Sequence, residues 1–429
     1  MDTVGILVLL LFAGLMLSGL WIPFAVGIGA IAYLLHAGGG VSSLKSIGII
    51  SWGSMNSFTL TAIPLFVLMA ELLLESGLSQ RVYRGLSVLV RRLPGGLLQT
   101  NIAGCAMFAA VSGSSVACAA SIGTVSIPQL KARGYDMGLA TGTLAAGGTL
   151  GILIPPSIAM IVYGTFAETS ITKLFLAGVL PGITLALMFM IYVAIRSVLN
   201  PELAPRETVV SAASWSSVVN DVLPFVALIV LLIGSLYSGI VTPTEAAALG
   251  CCLAWGVARI WGEMRFATLR RALHKTMVAN GAILFVVYAA FLFSYAIGLT
   301  GIAEDIARWV TAAGVSKVVF LLFVVLALTI LGCFVDSIGM MVITVPILLP
   351  SLRAYQIDPV WFGILIVLLV ELGQITPPMG MNLFVIQRIS REPLGVIVRG
   401  TIPFYWIFFL MMLMLYFMPG LALWMPEHL

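Results

Sequence analysis

Apolar stretches long enough to cross a membrane recur along almost the whole chain, and short polar connections separate them. A helix of about 20 apolar residues spans a hydrocarbon layer of about 30 Å. This pattern predicts an all-α polytopic membrane protein. The predicted spans are residues 5–20, 22–38, 56–78, 137–168, 174–195, 222–240, 243–258, 277–299, 359–387 and 401–425.

One part of this pattern occurs twice. The sequence GILIPP at 151–156 returns as GQITPP at 373–378, an offset of 222 residues. An earlier segment aligns at an offset of 224, which places Asn56 on Asn280. The chain therefore contains two internal repeats. The offset of 222 also relates four further pairs of identical residues, namely Pro128 and Pro350, Asp136 and Asp358, Gly178 and Gly400, and Pro181 and Pro403.

Each repeat contains a double proline inside an otherwise apolar stretch of helical length. As one continuous helix, residues 137–168 would extend roughly 48 Å, which exceeds the hydrocarbon thickness. A proline inside a helix removes a backbone donor and costs about 3 kcal/mol. Irregular backbone persists at membrane depth only where protein or a water-filled cavity satisfies its polar groups. We therefore predict two broken transmembrane helices, at 137–168 and 359–387, and paired broken helices indicate the binding site of a transporter.

The charges on the connections predict two re-entrant helical hairpins. Basic residues flank segment 97–130 on both sides, and basic residues mark the cytoplasmic face. This segment therefore enters and leaves from the cytoplasm, with its tip near 112–115. Its counterpart, segment 318–350, has its tip near 336–339 and enters from the opposite face. The alternative is one long span followed by a loop, which would place the Arg-rich connection at 259–275 outside.

The hairpin topology places 16 of the 21 Lys and Arg residues on the cytoplasmic side. The outer five are Lys45, Lys173, Arg308, Lys317 and Arg353. Repeat one then begins outside and repeat two inside, so the repeats have inverted topology. The predicted organisation is N-terminal scaffold helices at 1–55, repeat one at 56–195, a linker with scaffold helices and an amphipathic arm (262–275) at 196–276, and repeat two at 277–429.

The composition excludes several classes of protein. The chain is 61% hydrophobic and only 9% charged, whereas soluble proteins contain about 25% charged residues. No basic, aromatic-interleaved patch suggests a nucleic-acid partner. The five cysteines and three histidines lack metal-ligand spacing. No Ser–His pair, Asp–Asp pair or HExxH motif indicates an enzyme.

The broken helices supply groups for both a cation and an anion. Freed carbonyls and nearby hydroxyls form a set of hard oxygen ligands, which suits a small cation. The N-terminus of each second half-helix carries partial positive charge and free N–H groups that attract an anion. Asp336, at the tip of the second hairpin, costs about 2.5–3.5 kcal/mol inside a bilayer. A bound cation would explain this cost, and so would a helix cap or a pairing with a buried donor. The buried acids Glu71 and Glu371 either make packing hydrogen bonds or couple to ion or proton movement.

Six motifs in order carry a resemblance to a known family: SGSS at 112–115, PQLKARGYD at 128–136, GGTLGILIPPS at 147–157, Asp336, PILLP at 346–350 and GQITPPMGMNL at 373–383. They resemble the large membrane subunit of tripartite ATP-independent periplasmic (TRAP) transporters, the DctM-type permease, over nearly the whole chain. The resemblance implies an elevator-type symporter of the bacterial inner membrane that is driven by Na⁺. It also implies an organic anion as substrate, such as a C4-dicarboxylate, sialic acid or another sugar or keto acid.

The same resemblance implies two protein partners in addition to the lipid bilayer. One is a small four-helix membrane subunit (DctQ-type), expected as a separate chain because no four-helix extension is present here. The other is a periplasmic substrate-binding protein (DctP-type) that delivers the ligand. A stand-alone sodium/dicarboxylate symporter, which needs no binding protein, is the alternative within transport. Two unequal half-sites with gating hairpins favour alternating access over a channel.

The resemblance finally implies three groups of site residues. One sodium ion is expected at Ser112, Gly113, Ser114, Gly148, Gly151 and Pro155. A second sodium ion is expected at Gly332, Asp336, Thr376 and Pro377. The substrate is expected between the hairpin tips, at Ser115, Ser157, Ser337, Gly380 and Asn382.

Overall fold

The computed structural model describes residues 14–15, 18–37, 44–90, 92–205 and 215–428. This part of the chain forms helices and no β-strand, so the predicted all-α class is confirmed. Five of its helices are long and apolar enough to cross a membrane, or seven if each bent helix pair counts as one span. Most of the predicted span at 5–20 lies outside the described residues.

In the described ranges from Ile22 onward, four α-helices precede the first hairpin. They are α1 (Ile22–Ala37), α2 (Leu44–Met55), α3 (Ala62–Glu75) and α4 (Leu78–Val90). A 3₁₀ turn at Thr59–Thr61 leads into α3, and the chain bends by 55° between α2 and this unit. The predicted span at 56–78 therefore corresponds to α3 and its leading turn, and the sequence analysis did not predict α2.

The first hairpin and the first broken helix follow. The hairpin consists of α5 (Leu97–Ser112) and α6 (Ser115–Ala132), which pack side by side. The broken helix consists of α7 (Met137–Leu153) and α8 (Ile158–Phe166), with a bend of 44° between them. The predicted tip at 112–115 and the predicted break at the double proline are both confirmed. No slack loop follows a long span here, so the alternative to the hairpin is wrong.

The middle of the chain contains α9 (Ile171–Leu199), α10 (Trp215–Tyr237), α11 (Pro243–Trp261) and α12 (Phe266–Thr300). The amphipathic arm predicted at 262–275 and the span predicted at 277–299 are one helix of 35 residues. They are continuous because no glycine or proline interrupts the chain between positions 266 and 280.

The second half begins with α13 (Ile302–Ala312) and the second hairpin, α14 (Lys317–Gly332) and α15 (Ser337–Ala354). Its turn is 333–336, earlier than the predicted tip at 336–339. Asp336 causes this difference, because its carboxylate accepts hydrogen bonds from the first turn of α15 and so begins the helix there.

The second broken helix consists of α16 (Pro359–Gln374) and α17 (Met381–Ser390). Two helices complete the described chain, α18 (Leu394–Phe417) and α19 (Gly420–His428). The span predicted at 401–425 is therefore divided, because Pro419 cannot continue α18.

The internal repeat is visible in the local structure. Asp136 and Asp358 both cap the helices that follow them, with N–H to carboxylate distances of 2.7–2.9 Å. The residues two positions earlier, Gly134 and Gln356, both adopt left-handed backbone conformations, with φ of +71° and +51°. The internal repeat predicted from the amino-acid sequence is therefore also present in the local backbone conformation.

The equivalent helices of the two repeats run in opposite directions. The offset of 224 relates α3 to residues 286–299 of α12. The carboxylate of Glu75, at the end of α3, contacts Arg271 at 2.8 Å and Lys275 at 2.5 Å near the start of α12. The two helices are therefore antiparallel, as inverted repeats require. Which face is cytoplasmic, and where the domains begin and end, stay predictions.

The two broken helices form the centre of the molecule. Every residue from 139 to 153 and from 360 to 374 is buried. Helix α7 packs against both arms of the first hairpin and against α18. At its crossing with α18, Gly142 faces Gly400, and an added Cβ on Gly400 would overlap the carbonyl oxygen of Gly138. Only glycine allows the two backbones to approach this closely.

Replacing Gly400 by alanine should therefore destabilise the fold by about 2–3 kcal/mol, because the backbone of α7 cannot yield as a side chain would. The matched control is Gly395→Ala, on the same helix, where an added Cβ meets no atom within 4 Å. The melting temperature of the detergent-solubilised protein measures both variants. Equal melting temperatures for the two would contradict the crossing described here.

Candidate functional site

The tip of the first hairpin lies against the break of the first broken helix. The carbonyl of Gly113 accepts a hydrogen bond from the N–H of Ile158, at the start of α8, at 3.4 Å. Gly151 lies so close to the tip that an added Cβ would be 2.6 Å from the carbonyl oxygen of Ser114. The Ser114 hydroxyl caps α6 by accepting from the N–H of Ala117 at 3.4 Å. The predicted site residues Gly113, Ser114 and Gly151 are therefore together.

The second repeat contains the same arrangement. The carbonyl of Cys333, in the second turn, accepts a hydrogen bond from the N–H of Met379 in the second break at 3.1 Å. Gly373, the repeat equivalent of Gly151, lies where an added Cβ would be 2.6 Å from the carbonyl oxygen of Gly332. Each hairpin is thus bonded through its backbone to the broken helix of its own repeat.

Protein groups satisfy part of the backbone that the second break frees. The Tyr405 hydroxyl of α18 donates to the carbonyl of Ile375 at 2.6 Å. The Thr376 hydroxyl donates to the carbonyl of Leu372 at 2.6 Å, which leaves its oxygen lone pairs for a cation. Pro377 follows directly, and an added Cβ on Gly380 would be 3.0 Å from the carbonyl oxygen of Thr376. The break therefore brings the carbonyl oxygens of Gln374 and Thr376 close to Gly380.

Asp336 has one of the roles that the sequence left open, that of a helix cap. Its Oδ2 accepts hydrogen bonds from the N–H groups of Ile338 at 3.2 Å and Gly339 at 3.3 Å. The carboxylate is thus a helix cap. Both bonds end on Oδ2, so Oδ1 is available to a cation. Hard oxygen atoms of this kind suit an alkali or alkaline-earth ion.

A cavity of about 890 Å³ lies between the two hairpin tips, within the range of about 300–1,000 Å³ for ligand sites. Both repeats and the N-terminal scaffold contribute to its wall. Among the predicted site residues, the wall contains Ser114, Ser115, Asp336 and Ser337. The structure therefore brings the two tips to one space.

Other predicted residues lie elsewhere. Ser157 is fully buried and caps α8, accepting from the N–H of Met160 at 3.3 Å. Asn382 is fully buried and donates to the carbonyl of Ala145 at 3.3 Å, beside Gly148. Neither lines the cavity, and neither does Gly380. The Ser112 hydroxyl donates to the carbonyl of Ser114 at 3.4 Å, and Pro155 lies in the first break.

Two residues of the second broken helix contribute more than the sequence analysis predicted. The Ser115 hydroxyl donates to Oε1 of Glu371, which is fully buried and lies in the other repeat. Gln374 lines the cavity at 4% exposure. The sequence named Glu371 as a buried acid, but its partner is 256 residues away and has no local signal. For Gln374, the only signal was a polar residue directly before the break.

The bond between Ser115 and Glu371 fixes the first tip against the second broken helix. Losing either partner leaves the other buried without it, which costs about 1–3 kcal/mol. We therefore expect Ser115→Ala and Glu371→Leu each to lower the melting temperature. The double variant should lose less stability than the sum of the two single variants, and the difference should correspond to a coupling free energy of about 1–2 kcal/mol. Thr149→Val is the control, because that buried hydroxyl bonds within its own helix. The stability losses of Thr149→Val and Glu371→Leu should simply add. Additive losses for Ser115→Ala and Glu371→Leu would contradict the contact.

Comparison with known proteins identifies the family. The family model for the DctM component of tripartite ATP-independent periplasmic transporters matches residues 9–421. The C4-dicarboxylate TRAP transporter large permease protein DctM of Pseudomonas aeruginosa is 35% identical over 402 residues, which cover 94% of this chain and 93% of that protein. The sialic acid TRAP transporter permease protein SiaT of Haemophilus influenzae is 31% identical over 383 residues, which cover 88% of this chain and 61% of that longer protein.

A solved structure agrees on the fold. The YdaH transporter of Alcanivorax borkumensis superimposes with a TM-score of 0.64 over 89% of this chain and 90% of that one, at 17% sequence identity. Identity this low supports the architecture and nothing finer. The family is shown by the match to the family model and by the 35% identity to DctM over nearly the full length. Members of this family are multi-pass membrane transporters and not enzymes. This chain belongs to the DctM family of TRAP transporter large permeases.

Proposed function

We propose that this permease takes up an organic anion by sodium-coupled symport in the bacterial inner membrane. The single observation that carries the proposal is the meeting of two hairpin tips, each bonded to its own broken helix, around one cavity. Two related half-sites that face one space from opposite repeats suit a site with access from either side. C4-dicarboxylate and sialic acid, named for the relatives, are the reference substrates.

The oxygen atoms at the two tips, which could coordinate a cation, support sodium as the coupling ion. One ion would take oxygen atoms from the first tip and first break, where Gly113, Ser114 and Gly151 converge. A second would take Oδ1 of Asp336 and oxygen atoms around Thr376. These oxygen atoms are hard ligands, which suit a small cation of this kind. Within the described ranges, no cluster of three or more His, Cys, Asp or Glu side chains offers a different kind of metal site.

We further propose elevator-type movement, in which the hairpins and broken helices shift against the scaffold helices. The ion pairs of Glu75 with Arg271 and Lys275 hold α3 to α12, which gives the scaffold a fixed frame. The cavity wall includes residues 19–22 of the N-terminal scaffold, and Ala282, Ile283 and Val286 of α12, beside the tips. Sliding of the tips along this wall would change the side from which the cavity opens.

A small four-helix subunit and a periplasmic binding protein complete the proposed system. The SiaT relative extends beyond the region that this chain matches, which is 61% of its length, and the additional region of that relative would correspond to the proposed small subunit. The binding protein would deliver the anion to the cavity between the tips. A stand-alone symporter, the alternative, would accept the free anion.

Proteoliposomes with the permease, its small subunit and its binding protein test the proposal. We expect an inward sodium gradient to stimulate uptake from a panel of labelled organic acids that includes succinate and N-acetylneuraminate. Asp336→Ala and Ser114→Ala should each raise the half-saturating sodium concentration at least about tenfold, which corresponds to a lost interaction of about 1.4 kcal/mol.

The controls are Asp305→Ala and Ser238→Ala, which remove an exposed acid and an exposed hydroxyl outside the cavity wall. Both should keep the sodium dependence of the unchanged protein. Uptake that ignores the sodium gradient would reject the coupling. Equal uptake with and without the binding protein would contradict the tripartite system and favour the stand-alone symporter.

A further inference from the structure

We propose that the second hairpin, α14–α15, opens and closes over the cavity, while the first hairpin, α5–α6, stays fixed to the broken helices. This inference rests on the proposed sodium symport and identifies the gate of that site. Because the hairpins are equivalent in the internal repeat, each contact that ties one hairpin to the opposite repeat has a counterpart position in the other. The two hairpins differ at three such places, namely the tip, the last turn and the first arm.

The tips of the two hairpins are held differently. The Ser115 hydroxyl of the first tip donates to Glu371 of the second broken helix. The offset of 222 relates these two residues to Ser337 and Thr149. The Thr149 hydroxyl donates to the carbonyl of Ala146 in its own helix, and in the described ranges no hydrogen bond joins Thr149 to Ser337. The first tip is therefore tied to the opposite repeat at a position where the second tip is not.

The last turns of the two hairpins differ in the same direction. Lys131, in the last turn of α6, pairs with Glu392 at 2.8 Å and donates to the carbonyl of Ser390 at 2.7 Å. Its counterpart Arg353, in the last turn of α15, is 4.0 Å from Glu168. Each acid lies two residues beyond the second half-helix of the opposite repeat. The side chains of the second pair are 72% and 82% exposed, so this pair contributes little to holding the second hairpin.

The first arms of the two hairpins differ in the space around them. Most of α5 is buried, and its Phe108 stacks on Phe225 of α10 with the ring centroids 6.1 Å apart. In contrast, an apolar groove of about 460 Å³ lies between α14, α13 and α15. Val319 and Phe323 of α14 line this groove and are exposed. The first arm of the second hairpin therefore has room to shift, which its counterpart lacks.

A sodium ion at the second tip would hold the second hairpin closed. The carbonyl of Cys333 accepts one backbone hydrogen bond from Met379 of the second break, at 3.1 Å. Asp336 lies at the start of α15 and moves with the hairpin, whereas Thr376 belongs to the break. An ion that binds oxygen atoms of both would bridge the hairpin and the break, and so would favour the closed state over the open one.

Labelling of the native cysteines tests this gate without any substitution. Cys333 is half-buried in the turn of the second hairpin, Cys105 and Cys118 are fully buried in the first hairpin, and Cys252 is exposed on α11. The purified permease with its small subunit is treated with N-ethylmaleimide in sodium and in choline at equal ionic strength, and mass spectrometry follows each thiol. We expect Cys333 to react at least about threefold faster in choline, because the hairpin opens more often without the ion. Cys105 and Cys118 should stay protected in both salts, and Cys252, the control, should react equally in both.

Met379→Cys supplies a second measurement, because it places a thiol beside Cys333. Oxidation of this variant should join position 379 to Cys333 and lock the second hairpin on its break. We expect the oxidised variant to lose nearly all sodium-driven uptake in proteoliposomes and to recover it on reduction. The oxidised protein without the substitution should keep its uptake, and mass spectrometry confirms the bridge.

Three results would overturn the assignment of the gate. They are a labelling rate of Cys333 that does not depend on sodium, sodium-dependent labelling of Cys105 or Cys118, and full uptake by the bridged variant. The sodium dependence of the melting temperature is measured on the same preparation. No effect of sodium on melting would reject the proposed coupling, whereas an effect on melting without one at Cys333 would reject the gate alone.

Discussion

The need to satisfy backbone hydrogen bonds inside a hydrocarbon layer governs this structure. Helices meet that need by themselves, and a break in a helix does not. The two breaks at the double prolines are both closed in the same way. A hairpin of the same repeat brings its turn to the break and bonds to it through backbone atoms, from Gly113 to Ile158 and from Cys333 to Met379. The repair leaves a few oxygen atoms and N–H groups free, and we propose that those atoms form the site.

Glycine makes this repair possible at a small number of positions. Gly151 and Gly373 are repeat equivalents, and each lies against the backbone of the neighbouring hairpin, at Ser114 and Gly332. A side chain at either position would separate the hairpin from the break. The close packing that follows leaves the fully buried Glu371 in contact with Ser115 across the repeats. This hydrogen bond links the tip of the first hairpin to the broken helix of the second repeat.

Much of this architecture could be predicted from the sequence, because its causes are local or periodic. Double prolines in apolar stretches locate the breaks, and the offset of 222 locates the repeat. What could not be predicted are contacts between distant segments. The bond from Ser115 to Glu371 has no local signature. The joining of the arm at 262–275 to the following span was missed because the basic residues suggested a separate surface helix, although Arg271 and Lys275 pair with Glu75. Ser157 and Asn382 were placed at the substrate by resemblance alone, and both are engaged in the packing around α7 and α8.

An experimental density map of the permease with its small subunit in lipid nanodiscs, recorded in sodium and again in choline, tests the central claim most directly. The account predicts helices interrupted at 151–156 and 373–378, with sodium-dependent density among Gly113, Ser114 and Gly151 and beside Asp336. Uninterrupted helices at both double prolines, or identical density in sodium and choline, would contradict it.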